Sequence, residues 1–362
     1  MANFRDVFTS PAIAAVYNEA ASNRIAYLGE GLFPAKQKAG LNLKWLIQNK
    51  GLPITLAPSA FDTVAPIRSR EGFEVIESEM AYFKEAYIVK EQDIQDYETL
   101  VEGTPQAREI LDRIFDDSTN LVQSAHVVAE QMRMGLLANA NGHPSITLVD
   151  ANGANYTYNY DPNNKYFREN YTALSGTSMW DDLSGSDPLQ DVSDAQDIIE
   201  QRTGNKPTVM IISKGTMNLL KKNANLRSVV LAQNVTANIH MTDNIVKQLF
   251  SEELGVTILV YSKMYNEWDA VQNKYVAKKF YPDGMVTLLP EGTLGNTWRG
   301  VTPEEHRADK MDVSIVDNGI AIATVVHEDP VQTLTKVSEV ILPSFERMYE
   351  TYMIKVQANV VY

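Results

Sequence analysis

Apolar and small residues recur at positions 107, 111, 114, 118, 121, 125, 128 and 132, alternating steps of four and three. That spacing lays one stripe along a helix. It predicts a single helix from Pro105 to about Asn139, with Thr104 as its cap and Pro105 at its first position. Asn141-Gly142 supplies the stop, because both residues tolerate left-handed backbone. At 1.5 Å per residue the helix runs roughly 50 Å, and its stripe needs a sheet or another chain to cover it. Residues 28–93 read differently. Short alternating runs (Phe73, Val75, Ile76; Tyr82, Tyr87, Ile88, Val89) predict strands, and Pro34, Pro53, Pro58 and Pro66 break any helix between them. Charged residues crowd these runs, leaving too few apolar positions for a core. An extended arm followed by a long hairpin, lying on neighbouring subunits, fits that pattern.

The remaining pattern mixes both periods. A short helix is expected over 11–21 with Ser10 as cap, and strands over 146–149 and 155–160 around Ala151-Asn152-Gly153. Residues 166–191 are irregular and rich in Ser, Gly and Asp, marking a boundary. An alternation follows: helix 192–202 capped by Ser193 and Asp194, strand 208–212, helix 215–222, helix 243–254 capped by Thr242, and strand 256–261. Hairpin strands over 274–280 and 285–289 close this part, a second domain from Gly176 to about Gly300. Strands 313–316 and 320–326 return the chain to the first domain. The class is α+β.

Acidic residues outnumber basic ones by 46 to 32 in 362 residues, a formal net charge of -14. Nucleic-acid readers carry the opposite balance, since phosphate neutralisation drives their affinity. The absence of cysteine removes disulfides, thiolate metal sites and thiol nucleophiles together. No secretory signal pattern and no apolar run of membrane-spanning length occurs, so a soluble product of the cytoplasm is expected.

Candidate chemistry is sparse. Walker, dinucleotide-fingerprint, His-Glu-x-x-His and Gly-x-Ser-x-Gly patterns are all missing. Gly29-Glu30-Gly31 lacks a preceding apolar strand and reads as a turn. The five histidines (126, 143, 240, 306 and 327) are scattered, and His327-Glu328-Asp329 has no second histidine at ligand spacing. The acidic run Asp181, Asp182, Asp187, Asp191, Asp194 and Asp197 fails calcium-loop spacing, with Ser186 where a glycine is needed. A loop with helix caps accounts for it. Glu74, Glu77, Glu79, Lys84 and Glu85 alternate along the expected hairpin and suit salt bridges between subunits, with Ala65-Pro66 and Met80-Ala81 on its apolar side. No catalytic, cofactor-binding or metal residue is assigned.

The words LFPAK (residues 32–36), SAFD (59–62), GFE (72–74) and FKE (83–85) stand in that order. They are followed by IFDDSTNLVQSAHVVAEQMRMGLL (114–137), LPEGTLGNTWRGVTPEE (289–305) and DNGIAIATVVHEDPVQTLTKVSEVILPSFERMYETYMIKV (317–356). Together they resemble the major capsid protein E family of lambda-type tailed phages, over most of the chain outside about 145–281. The resemblance implies an HK97-like phage capsid fold, shared with herpesviruses. Its parts would be an N-terminal arm (1–50), an extended loop or E-loop (51–95), a peripheral domain with a long spine helix (96–175 and 301–362) and an axial α/β domain (176–300). It implies a structural protein, not an enzyme, in pentamers and hexamers that close into an icosahedral head around double-stranded DNA without reading its sequence. No membrane would be involved. The match starts so early that a separate scaffolding protein is expected, with a portal and in some relatives a decoration protein. Some relatives join subunits by a lysine–asparagine isopeptide bond; Lys84 and Lys90 are candidates only by position. Two alternatives stay open on the residues alone: an encapsulin-like nanocompartment shell, and a soluble acidic α/β enzyme built on 192–289.

Overall fold

The computed structural model describes residues 4–20, 25–47, 52, 74–100, 104–149, 155–233, 240–269, 272–307, 309 and 311–362. The chain divides into two compact units. The first takes residues 1–44, 77–132 and 295–344, and the second takes 45–76, 133–294 and 345–362.

A sheet and the long helix organise the first unit. The sheet runs in the order Ala35–Gln37, Gly295–Gly300, Val331–Phe345, Ile320–Glu328, Asp312–Val316, and Ala81–Val89 also pairs with Val331–Phe345. The 15-residue strand is its backbone: Ile320 faces Glu339 on one side, and Ala81 to Val89 face Ile341 to Thr333 on the other. The helix spans Pro105–Leu137, 33 residues, with Thr104 Oγ1 accepting from the Ala107 amide. Val89, Val316, Ile320, Ile322 and Val337 of the strands cluster with Ala107, Ile114, Val122 and Ala125 of the helix. Phe4, Phe8, Ile13 and Tyr17 of the N-terminal helices complete this core.

The stripe lies slightly off the expected register. Ala107, Ile114, Ser118, Val122, Ala125, Ala129 and Met132 are buried, whereas Leu111, Leu121 and Val128 are half-buried at its edge. Leu121, Ala125 and Val128 instead line a cleft of about 120 Å³ shared with Phe83 and Val337. A strict three-four alternation drifts against the 3.6-residue turn, so the centre of the buried face passes from Leu121 to Val122.

Local chemistry corrects two caps. The first long N-terminal helix is Ser10–Glu19, and Thr9, in extended backbone, caps it by accepting from Ala12. Ser10 is buried inside the first turn, its amide donating to Asp312 Oδ2 at 2.7 Å. In the second unit the helix begins earlier than expected, at Pro188, and Asp187 caps it; Ser193 and Asp194 lie within it. Pro188 sets the start because its ring suits the first helical position.

The second unit is a five-stranded mixed sheet in the order Tyr171–Ala173, Tyr352–Lys355, Met285–Leu289, Val209–Ile212, Thr257–Val260. Helices Pro188–Thr203, Lys214–Lys222 and Asp243–Leu254 contribute Val192, Ile199, Met217, Leu220, Val246 and Phe250 to its core. Met285–Leu289 is buried at every position, as suits a central strand. The expected hairpin of 274–280 with 285–289 does not form. Lys274–Lys279 pairs with Met264–Asp269, and Met285–Leu289 pairs with Val209–Ile212 and Tyr352–Lys355. Strands Ser145–Val149 and Asn155–Asn159 pair as expected, and the turn between them lies outside the described residues.

Candidate assembly surfaces

The charged hairpin expected upstream of the long helix is built differently. Glu74–Glu79 and Ala81–Val89 follow one another but do not pair: the former joins Asn42–Ile47 in a two-stranded ribbon, the latter joins the six-stranded sheet. Alternation along Asn42–Ile47 buries Leu43, Trp45 and Ile47 and exposes the positions between. Its neighbours Leu41, Leu46 and Val75 are about half exposed. Glu77 pairs with Lys44 of the same chain at 2.8 Å, so one expected intersubunit charge is engaged internally. Ala65-Pro66 lies outside the described residues, while Met80 and Ala81 are buried.

Glu304 is buried and gathers Lys336, Ser338 and Tyr82. The Lys336 ammonium contacts Glu304 Oε1, Ser338 Oγ donates to Oε2 at 2.7 Å, and the Tyr82 hydroxyl donates to Oε1 at 2.9 Å. Burial alone would raise its pKa, but the ammonium and hydroxyls overcome it and hold the carboxyl down to about 2. These contacts tie the loop after Gly295–Gly300 to Ala81–Val89 and Val331–Phe345. Because the folded pKa lies below the unfolded one, this stabilisation is complete above the ordinary carboxylate range and is lost as pH falls toward 2. Glu304→Gln should therefore lower the melting temperature at neutral pH, at a cost of about 1–3 kcal/mol for partners left unsatisfied. The gap between variant and parent should narrow in melts from about pH 5 to pH 2. A gap that stayed constant would assign the effect to packing.

His126 projects from the long helix among residues of three other segments. Its Nε2 is 2.9 Å from Asp317 Oδ2 and 2.9 Å from the Tyr17 hydroxyl, which itself donates to Asp317 Oδ2 at 2.6 Å. Its Nδ1 lies 3.5 Å from Glu30 Oε1. Gly29-Glu30-Gly31 thus falls in a short helix, Leu28–Leu32, whose Gly29 amide donates to the buried Glu130 at 3.0 Å.

The other histidines do not converge. His143 stacks on Phe167 with Nδ1 3.4 Å from Asp161, while His240, His306 and His327 are exposed. In the acidic run, Asp191 accepts from the Trp180 indole at 2.8 Å, Asp182 accepts from the Ser184 and Gly185 amides, and Asp194 accepts from Gln190. Among the described residues no three His, Asp or Glu side chains are placed to hold a metal ion, and no helix is long and apolar enough to cross a membrane.

A surface missed in the sequence is the Met264–Asp269/Lys274–Lys279 hairpin. Trp268 and Tyr275 face each other across it, rings 5.1 Å apart, and are 51% and 67% exposed. Met264 shares their face at 54%. Aromatic residues at such exposure are characteristic of contact surfaces. Met264 and Trp268, four apart and so on one strand face, carried the signal, but the surrounding Asn and Lys content masked it.

A long helix laid on a sheet with one dominant strand, together with a second α/β unit, is the HK97-like capsid fold. A prophage protein of Escherichia coli CFT073, described as a capsid protein, superposes with a TM-score of 0.60 at 15% identity, covering 97% of this chain and 99% of that one. A phage-related protein of Bordetella bronchiseptica RB50 gives 0.55 at 14%, covering 96% and 97%. No curated protein matches the chain in sequence. The family model described as Phage major capsid protein E matches residues 10–356, and the chain belongs to that family. It is a structural component of the virion, the major capsid protein of a tailed phage, whose copies self-assemble into the shell of the icosahedral head. The nanocompartment and enzyme alternatives give way to this family match.

Proposed function

We propose that the chain builds its head from pentamers and hexamers with the help of a separate scaffolding protein, and that the shell meets a portal and, in some particles, a decoration protein. Residues 1–50 act as an arm, 51–95 as an extended loop, 96–175 with 301–362 as the peripheral domain, and 176–300 as the axial domain. One sequence must satisfy neighbours at slightly different angles, which asks for a stiff body and adaptable extensions. The observation that carries this reading is the ribbon of Asn42–Ile47 and Glu74–Glu79, where Leu41, Leu46 and Val75 stand about half exposed, in contrast to the packed core of the long helix and its sheet. Double-stranded DNA is enclosed without sequence reading, in keeping with a net charge of -14, which gives phosphates no general attraction.

Expression alone or with the scaffolding protein of its own phage should yield pentamers, hexamers or closed particles in sedimentation velocity and electron micrographs. A single globular monomer across concentrations, with scaffold present, would overturn the proposal.

A further inference from the structure

We propose that His126 is a proton-operated clasp that fastens two N-terminal helices, Ser10–Glu19 and Leu28–Leu32, to the long helix within one subunit. The clasp is closed when the imidazole is protonated and loosened when it is not. Its geometry is that of an imidazolium. A neutral imidazole has one N–H and one lone pair, whereas both ring nitrogens here face a carboxylate: Nε2 faces Asp317 at 2.9 Å and Nδ1 faces Glu30 at 3.5 Å. Only the cation donates to both.

Every element packed around the ring contributes a group. Tyr17, from Ser10–Glu19, lies with its ring nearly parallel to the imidazole, 18° between planes, and its hydroxyl donates to Asp317. Glu30 comes from Leu28–Leu32, and Asp317 from the turn between Asp312–Val316 and Ile320–Glu328. Arg299, from Gly295–Gly300, is the opposing charge, with its guanidinium on the Asp317 carbonyl oxygen and near Glu339. Glu130, one turn along the long helix, receives the Gly29 amide.

Burial works against protonation, as does Arg299, yet hydrogen bonds to Asp317 and Glu30 raise the His126 pKa above its ordinary value of 6.5. A raised folded pKa makes the clasp fully effective below about 6.5 and weakens it as pH climbs through the raised value. Each unit of elevation is about a tenfold change in the closed-to-open ratio. On proton loss to solvent, the shorter contact keeps the remaining proton on Nε2 toward Asp317. The bare Nδ1 then faces the Glu30 carboxylate, and that contact turns repulsive. Residues 28–32 lose the Glu30 tie to the helix and keep the Glu130 tie.

Hydrogen exchange of the full-length chain, corrected for intrinsic rates and followed from about pH 5.5 to 9, reads the clasp in peptides covering 10–19 and 28–32. NMR titration of labelled histidine gives the His126 midpoint. Protection should fall with rising pH at that midpoint. His126→Gln should flatten the pH dependence, and Glu30→Gln should lower the midpoint and shrink the amplitude. Glu30 is 41% exposed, so its variant keeps the test open if His126→Gln fails to fold. Protection of the parent that does not vary with pH, or the same profile in the Glu30→Gln variant, would overturn the proposal. Because the clasp lies within one subunit, either result leaves the assembly reading standing on its own test.

Discussion

Val122→Asp should strongly destabilise the first unit, while Gln123→Asp, the very next residue, should leave its stability almost unchanged. Val122 is fully buried in the apolar core cluster of the first unit. Gln123 is exposed, about 100° further round the helix. Losing the valine forfeits about 1.5–3 kcal/mol of apolar burial. A carboxylate in its place must neutralise or drag the helix off the sheet, since it would sit within an apolar cluster. Together these place the change among substitutions of about 4–5 kcal/mol, a fall of roughly 10 °C in the first unit's melt. Leu121→Asp should fall between the two, because Leu121 lies at the edge of the buried face beside the cleft. Thermal melts of the three variants read the helix register directly. Equal losses for residues 122 and 123 would mean both faces are covered within one chain. A Gln123→Asp protein that melts normally but forms no shells would identify that face as a contact between subunits.

Deleting residues 61–73 should abolish shell formation and leave the fold intact. The cut stops short of Glu74, because the ribbon strand begins there. Extending it to Phe83 would remove Ala81, Tyr82 and Phe83, which face Ile341, Val340 and Glu339 in the six-stranded sheet. Under the proposed assignment of 51–95 as an extended loop, these residues are given over to neighbouring copies and contribute little to their own chain's stability. Circular dichroism and melting should match the parent, while sedimentation and micrographs show only small species. Shells of normal appearance from the shortened chain would show that this segment is dispensable to assembly.

The long helix and the α/β alternation were legible because periodicity and caps agree there: Thr104 with Pro105, and Thr242 before Asp243–Leu254; the helix itself stops at Leu137, and Asn141-Gly142 forms a turn beyond it. Strand partners beyond the 145–149 and 155–159 pair were not legible, since pairing is a long-range choice that local pattern does not encode. Lys274–Lys279 chose the nearer Met264–Asp269, and Glu74–Glu79 chose a strand some thirty residues upstream rather than its immediate successor. The His126 cluster was equally hidden. Its members stand at 17, 30, 126 and 317, and only folding brings them together. The capsid resemblance was readable from ordered words rather than from chemistry, because a shell protein spends its residues on packing and contact.

Four tryptophans divide cleanly by environment: Trp45 and Trp180 are buried, Trp298 is half-buried, and Trp268 stands 51% exposed on its hairpin. The molecule therefore carries its own optical reporter. Collisional quenchers such as acrylamide reach Trp268 in the free subunit far more readily than the two buried indoles. Its quenching reads, without a label, whether the hairpin is covered on assembly, set against a background of less accessible indoles.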